Sequence, residues 1–75
     1  MPPVDRSPVP PSRRVEADLR RRIEAGEWAT GQALPSVGAL AAEYRVARNT
    51  VAKALRKLEA DGLIQIVPSW GTFRQ

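Results

Sequence analysis

Residues 34–64, LPSVGALAAEYRVARNTVAKALRKLEADGLI, decide the fold, because their pattern predicts two helices joined by a short turn. Ser36 follows a proline and precedes apolar residues at helical spacing, so it is expected to cap a helix over residues 36–45. A second helix is predicted over residues 48–61, with Gly62 as its C-terminal cap. Two helices with so tight a connection are typical of a helix-turn-helix.

The helix predicted over residues 48–61 has an apolar side and a basic side. The apolar side consists of Val51, Ala54, Leu55 and Leu58. The opposite side consists of Asn49, Lys53 and Arg56, with Ala52 and Lys57 at its edges. Since no acidic residue follows on this helix before position 59, the basic side indicates an anionic partner, and nucleic acid is the commonest one.

The first turn of that helix carries three side chains suited to reading DNA bases. In a helix-turn-helix the second helix lies in the major groove, and its N-terminal residues reach base edges. Arg48 can donate two hydrogen bonds to guanine, Asn49 can pair with adenine, and Thr50 can contact a phosphate or a thymine methyl group. Lys53 and Arg56, further along, are placed for phosphate contacts. The residues alone also fit a three-helix bundle whose basic face is merely solvated.

Upstream, the sequence predicts a proline-rich arm and one more helix. Residues 1–12 contain five of the seven prolines, so a disordered N-terminal arm is expected there. Arg6, Arg13 and Arg14 would let this arm follow a DNA groove, although a solvated tail without a role is the favoured alternative. Residues 13–25 carry an apolar residue at every fourth position and predict a helix that ends at Gly26.

The segments on either side of the helical pair complete a single domain. The loop over residues 26–35 is expected to bring Trp28 and Leu34 into the core. Residues 63–67, LIQIV, alternate and are rich in β-branched side chains, which predicts a strand. Residues 68–71 supply a turn, and a short return strand is expected to end near Arg74. The predicted fold is mainly α with a small β-hairpin, in one domain over residues 13–75.

The composition narrows the function further. The chain has 75 residues and a net charge of +4, ten of its twelve basic residues are arginine, and it lacks both cysteine and histidine. This inventory excludes zinc fingers, thiol nucleophiles and histidine-based catalysis. No glycine-rich phosphate loop is present either, so we expect no enzyme, no metal and no cofactor. Without a membrane-length apolar run or a signal core, we expect a cytoplasmic, nucleoid-associated protein and no membrane partner.

Residues 15–74 resemble, in order and without gaps, the DNA-binding domain of the GntR family of bacterial transcription regulators. The family pattern matches Leu34, Pro35, Ser36, Leu40, Ala41, Val46, Arg48, Thr50, Val51, Ala54, Leu55, Leu58, Glu59, Gly62, Leu63, Gly71, Thr72 and Phe73. The resemblance implies a winged helix-turn-helix, in which three helices are followed by a two-stranded wing. It also implies that the wing touches the minor groove or the DNA backbone.

The resemblance assigns roles to particular residues. It implies base contacts at the start of the recognition helix, by Arg48, Asn49 and Thr50. Together with the basic face it implies phosphate contacts by Ser36, Lys53, Arg56 and Lys57. The wing segment expected beside the DNA consists of Ser69, Trp70, Gly71 and Thr72. By the same resemblance, Phe73 is expected to pack inward and anchor the hairpin.

Several positions depart from the family pattern. Gly38 stands where the family has an arginine, so a basic contact from the first helix of the pair is missing. Ala52 stands at a position where the family often has a basic residue. Ala47 replaces the usual serine or threonine, which removes an N-cap worth about 1 kcal/mol. Trp70 stands where an arginine commonly reaches DNA. We therefore expect the recognition helix, rather than the wing, to carry most of the binding.

The leading hypothesis is a regulator, with repression as the expected direction, that binds double-stranded DNA sequence-specifically. A homodimer on a palindromic site is an open possibility. The family's C-terminal domain, which binds a small molecule and makes the dimer, does not follow the wing here, so no effector is expected within this chain. The chain is either a stand-alone DNA-binding protein or part of a longer one. The alternative hypothesis is a protein–protein interaction module that uses the apolar wing, with Trp28, Trp70 and Phe73 as its docking patch.

Overall fold

The computed structural model describes residues 10–75, which form three helices followed by a two-stranded antiparallel sheet. The elements in chain order are α1 (Pro11–Glu24), α2 (Val37–Tyr44), α3 (Arg48–Ala60), β1 (Ile64–Val67) and β2 (Gly71–Arg74). This order confirms the predicted winged helix-turn-helix. The helix and strand boundaries lie within one or two residues of those predicted.

The start of α1 differs from the prediction. Residues 11 and 12 were expected in the proline-rich arm, but Pro11 is the first residue of α1 and Pro10 precedes it as the N-cap. A proline fits this position because the first helical N–H has no partner in the helix and the ring fixes a helical φ. Arg13 and Arg14 consequently belong to α1 and not to an arm. The rest of the predicted arm, residues 1–9 with Arg6, lies outside the described residues.

The core lies where the three helices meet the sheet. Leu19 and Ile23 of α1, Leu40 of α2 and Leu58 of α3 are fully buried, as is Ile64 of β1. Burying a side chain of this kind contributes about 1.5–3 kcal/mol before entropy losses, so these contacts hold the helices in place. The loop residues Trp28 and Leu34 also enter the core, as the sequence predicts. The core therefore fixes the rotation of α3 and leaves its basic side outward.

The two helices of the helix-turn-helix begin differently. Ser36 caps α2, and its Oγ accepts a hydrogen bond of 3.1 Å from the backbone N–H of Ala39. The helix ends at Tyr44 because Arg45 adopts a left-handed conformation with φ of 57°. Ala47 precedes α3 without any side-chain cap, as the sequence predicts. The first turn of α3 therefore has backbone N–H groups whose hydrogen bonds are not accepted by any capping side chain.

The inner face of the β-ribbon carries Thr72, and the prediction for Phe73 is wrong. Ile66 pairs with Thr72 and Gln65 pairs with Phe73, so Thr72 and Phe73 point to opposite faces of the ribbon. Thr72 is only 8% exposed beside the core, whereas Phe73 is half-buried on the other face. Ile64 and Ile66 require the inner face for their own burial, and this requirement fixes the register.

Loop residues before α2 cover the outer edge of β2. The backbone N–H of Leu34 donates to the carbonyl of Thr72 at 2.8 Å, and that of Gly31 donates to the carbonyl of Arg74 at 2.7 Å. The N–H of Arg74 donates in turn to the carbonyl of Gln32 at 2.8 Å. The guanidinium of Arg74 also donates to the carbonyl of Trp28 at 2.6 Å. These bonds fix the wing relative to the helices.

Candidate nucleic-acid interface

The outer side of α3 presents the predicted side chains on one surface. Arg48 and Asn49 in the first turn are exposed, and Thr50 beside them is half-buried. Lys53 and Arg56 follow one and two turns later and are also exposed. Because α3 buries its opposite side in the core, these groups lie in a row along the surface.

Three cations of this row have no partner within residues 10–75. The side chains of Arg48, Lys53 and Arg56 make neither a hydrogen bond nor an ion pair in that part of the chain. Lys57 differs, since its Nζ lies 3.4 Å from the carboxylate of Asp61. An exposed pair of this length contributes little and is easily exchanged for another anion. The row therefore carries positive charge that the described structure leaves uncompensated.

The three consecutive arginines of α1, residues 20–22, are in the opposite situation. Arg20 donates to Glu16 at 2.8 Å and to Asp61 at 2.5 Å, and Arg21 pairs with Asp18. The hydrogen bond from Arg20 holds the pKa of Asp61 below its ordinary value. The pair also ties the C-terminal end of α3 to α1. These two arginines are compensated within the fold.

Arg22 is the most enclosed of the three consecutive arginines. Its guanidinium donates to Glu27 at 2.6 Å and to Glu43 at 3.0 Å, and lies 4.8 Å from the ring centre of Trp28. It also donates to the hydroxyl of Tyr44 at 2.8 Å. The hydrogen bond with Glu27 lowers the pKa of that carboxylate and raises the pKa of Arg22. Arg22 thus joins α1, α2 and the loop between them.

Tyr44 and Asp18 extend the same network. The Tyr44 hydroxyl donates to Asp18 at 2.6 Å, and this bond is the main reason that the pKa of Asp18 lies below its ordinary value. Burial, helped by the neighbouring Asp18 carboxylate, raises the pKa of Tyr44 to about 12. In this network Arg22 is paired with carboxylates, so it adds no uncompensated charge to the outer side of α3.

The beginning of α2, the outer side of α3 and the wing border two adjoining grooves. One groove is lined by Ser36, Val37 and the wing residues Ser69, Trp70 and Gly71. The other is lined by Arg56 and Ala52 of α3 together with Pro68 and Thr72. Of the predicted residues, Ser36, Arg56 and those of the wing therefore border adjoining grooves, whereas Lys53 and Lys57 border another groove beside α1. Ser36 is exposed, and although its Oγ accepts from Ala39, its hydroxyl proton remains free to donate.

The wing tip is a tight turn with an exposed tryptophan. The N–H of Trp70 donates to the carbonyl of Val67 at 3.0 Å, and Ser69 adopts a left-handed conformation with φ of 68°. Gly71 has φ of 124°, a conformation that side chains oppose. Trp70 is 80% exposed, while the Thr72 side chain is buried at the base of the wing. Of the predicted wing residues, Thr72 is therefore the one whose side chain is removed from the surface.

Three further residues contribute to this region through contacts that the sequence did not predict. Gly38 lies under the guanidinium of Arg48, since a Cβ built on it would be 3.1 Å from Nη2. Glu59 accepts a hydrogen bond of 2.9 Å from the backbone N–H of Ile66, so it joins α3 to the wing. Arg13 borders a groove with Lys53 and Lys57 and extends the basic surface onto α1. From the sequence, Arg13 was expected to help an N-terminal arm follow a DNA groove, and not to lie on α1 beside Lys53 and Lys57.

The described residues contain neither a metal site nor a membrane-spanning helix. Within residues 10–75, no cluster of carboxylates has the arrangement of a metal site. In the same part of the chain, no helix has the length and apolar character needed to cross a membrane.

Comparison with known proteins identifies a family that this chain matches. Residues 11–73 match the family described as "Bacterial regulatory proteins, gntR family". The chain is 39% identical over 64 residues to the uncharacterized HTH-type transcriptional regulator YdfD of Bacillus subtilis (strain 168), covering 85% of this chain and 13% of that protein. It is 36% identical over 66 residues to the histidine utilization repressor of Pseudomonas putida, covering 88% of this chain and 27% of the repressor. The chain thus spans a small part of the length of these relatives.

Solved structures show the same architecture. The chain matches the crystal structure of AraR(DBD) in complex with operator ORX1 with a TM-score of 0.90 and 27% identity, covering 100% of this chain and 90% of that one. It matches a GntR family transcriptional regulator from Listeria monocytogenes with a TM-score of 0.86 and 26% identity, covering 96% of this chain and 62% of that one.

Proposed function

Because the chain belongs to the gntR family of bacterial regulatory proteins, we propose that it binds double-stranded DNA sequence-specifically and regulates transcription. The observation that carries the proposal is the row of cations on α3 that have no partner within residues 10–75. A surface with such uncompensated charge gains affinity for DNA by releasing counterions from the phosphates. The similar AraR(DBD) was solved in complex with operator ORX1, which supports DNA binding by a domain of this fold.

In the proposed mechanism, α3 enters the major groove with its N-terminal end toward the bases. Arg48, Asn49 and Thr50 read base edges, because their first-turn positions extend furthest into the groove. Phosphate contacts by Ser36, Lys53, Arg56 and Lys57 fix the register of the helix on the duplex. The wing residues Ser69, Trp70 and Gly71 lie along the backbone or the minor groove beside it.

We further propose that the protein acts as a repressor, and the name "Histidine utilization repressor" of a similar protein supports this direction. The proposed place of action is the nucleoid, in the cytoplasm. The proposed activity uses no catalytic group, cofactor or small-molecule effector, and in this respect the chain is not an enzyme. One copy covers one half-site, so a palindromic operator would take two copies.

The wing gives little support to the alternative of a protein docking module. Trp70 is the one large apolar side chain in residues 10–75 that is largely exposed. Trp28 is buried and Phe73 is half-buried, so the three aromatic residues do not form a common patch. Docking patches on proteins are larger and continuous.

Binding to duplexes with a randomised 20-base-pair core, followed by sequencing of the bound fraction, tests the proposal. We expect one enriched half-site or two, and a slope of log K against log salt near about −3, from the cations Lys53, Arg56 and Lys57. Arg48→Ala should weaken binding to the enriched site by about 1–3 kcal/mol and relax its specificity. Absence of any shifted complex at low salt would refute the proposal.

A further inference from the structure

Gly38 differs from the other four glycines of the chain. Gly26, Gly31, Gly62 and Gly71 all have positive φ values between 82° and 124°, and a Cβ on any of them would meet nothing within 4 Å. Their backbone conformation accounts for glycine at these four positions. Gly38 lies in the first turn of α2 and has no positive φ. Backbone geometry therefore does not require glycine there, and alanine would favour the helix.

The space above Gly38 is occupied by the Arg48 guanidinium. A Cβ on Gly38 would be 3.1 Å from Nη2, 3.5 Å from Cζ and 3.7 Å from Nε of Arg48. All three atoms belong to the planar head of one side chain, so that head lies across the bare Cα of Gly38. The closest of these distances is too short for ordinary van der Waals contact. Because Gly38 has no side chain, the guanidinium of Arg48 can lie this close to the backbone of α2.

Other contacts do not explain where the Arg48 head lies. Within residues 10–75, no hydrogen bond or ion pair holds the guanidinium. The first turn of α2 is moreover the positive end of a helix, which does not attract a cation. Packing against Gly38 is thus a contact, without any polar partner beside it in residues 10–75, that bears on where the head of Arg48 lies. The five donors of the guanidinium remain free for an acceptor outside the protein.

We propose that Gly38 is a specificity-determining residue, which acts by positioning Arg48 for the base that this arginine reads. The inference rests on the proposed DNA-binding function and names a residue of that surface that makes no base contact itself. A methyl group at position 38 forces the Arg48 head away from α2 by a few tenths of an ångström or into another rotamer. Since two parallel hydrogen bonds to one guanine tolerate little displacement, the base preference at that position weakens.

The decisive variant is Gly38→Ala, tested on the full chain. The melting temperature should rise by about 2–6 °C, because alanine replaces glycine in a regular helix. In selection from the randomised 20-base-pair duplex, the preference at the Arg48 position should fall by at least about 5-fold, while other positions keep theirs. The NMR signal of the Arg48 Nε–H should shift in the absence of DNA.

A double-mutant comparison isolates the effect on Arg48. In the Arg48→Ala background, Gly38→Ala should leave base preference unchanged and still raise the melting temperature. If Gly38→Ala raises the melting temperature, leaves the Arg48 signal in place and retains the full base preference, Gly38 has no positioning role and the inference is wrong. If the unmodified chain selects no sequence at all, the proposed function fails and this inference fails with it.

Discussion

The three consecutive arginines of α1 and the cations of α3 are basic residues in opposite surroundings. Arg20, Arg21 and Arg22 on α1 each contact at least one carboxylate. Lys53 and Arg56 on α3 contact none in the part of the chain that the structure describes. The longest run of arginines in the sequence is therefore internally compensated, and the more dispersed cations are not. Compensation by neighbours, rather than the number of arginines, distinguishes the candidate DNA surface from the structural one.

Removal of the uncompensated charge should have the largest effect. In Lys53→Gln/Arg56→Gln, two phosphate contacts are lost, so affinity at 0.1 M salt should fall roughly 60-fold on all duplex sequences, and the salt slope should decrease by about 2. Fluorescence anisotropy with a labelled duplex across a salt series measures both quantities.

Arg20→Gln/Arg21→Gln is the matched control, because it removes the same charge from α1. Its affinity should change by less than about 3-fold, since both arginines are already paired with carboxylates of the fold and neither is proposed to contact a phosphate. Equal losses in the two double variants would mean that net charge alone governs binding, and the distinction between the two helices would be invalid.

Substitution of the paired arginines of α1 should change the free energy of unfolding and not the affinity for DNA. Arg22→Ala removes the contacts with Glu27, Glu43 and Tyr44 and the stacking on Trp28, so we expect a loss of about 2 kcal/mol in the free energy of unfolding. Urea denaturation measures it. In the neighbouring Arg21→Ala the loss should be below about 0.5 kcal/mol, because that side chain is 71% exposed against 15% for Arg22. Similar losses for both variants would show that the contacts of Arg22 stabilise the fold no more than those of Arg21.

The wing offers a gain of charge to test. Trp70→Arg adds a cation at an exposed position next to the groove that Ser36 borders. Affinity for non-specific duplex at 0.1 M salt should rise by about 5- to 8-fold, with a slope steeper by about 0.9. Trp70→Gln serves as the neutral control. An affinity that does not change in Trp70→Arg would place the wing away from the DNA.

The smallest effect concerns the pH dependence of the compensated side. The pKa of Tyr44 is raised to about 12 from an ordinary value of 10.0. Its contribution to stability is therefore complete below pH 10 and is lost as the pH rises through about 12. Because Tyr44 is the one tyrosine of the chain, its ionisation can be followed by ultraviolet absorbance. A midpoint near pH 10 in the folded protein would show that the hydroxyl is not enclosed, and Tyr44→Phe should show no such titration.

The sequence was sufficient for the helices, because their signals are local. Ser36 as a cap, the uncapped start at Ala47 and the apolar stripe of α3 are each determined by a few neighbouring residues. The same holds for the basic side of α3, whose position follows from the stripe opposite to it. The predicted contacts of Arg48, Asn49 and Thr50 with bases remain predictions.

Features that depend on contacts between distant elements were not predictable in this way. The orientation of Phe73 depends on the register of β1 and β2, which the burial of Ile64 and Ile66 determines. The role of Glu59 required knowledge that the wing returns to α3, and that of Gly38 required the position of Arg48. The early start at Pro11 was missed for a different reason, since a proline excludes the interior of a helix but not its first position.

The hydrogen bonds at the edges of the β-ribbon affect whether another chain can join the sheet. The outer edge of β2 is bonded to the loop over residues 31–34, and the outward N–H of Ile66 on β1 is taken by Glu59. A foreign peptide that joined the sheet as an additional strand would first have to break these bonds. Exposed ribbon edges are a common route to strand addition and to aggregation, and here three groups of β2 and one N–H of β1 are already bonded within the domain. Strand addition at the outer edge of β2 is therefore disfavoured.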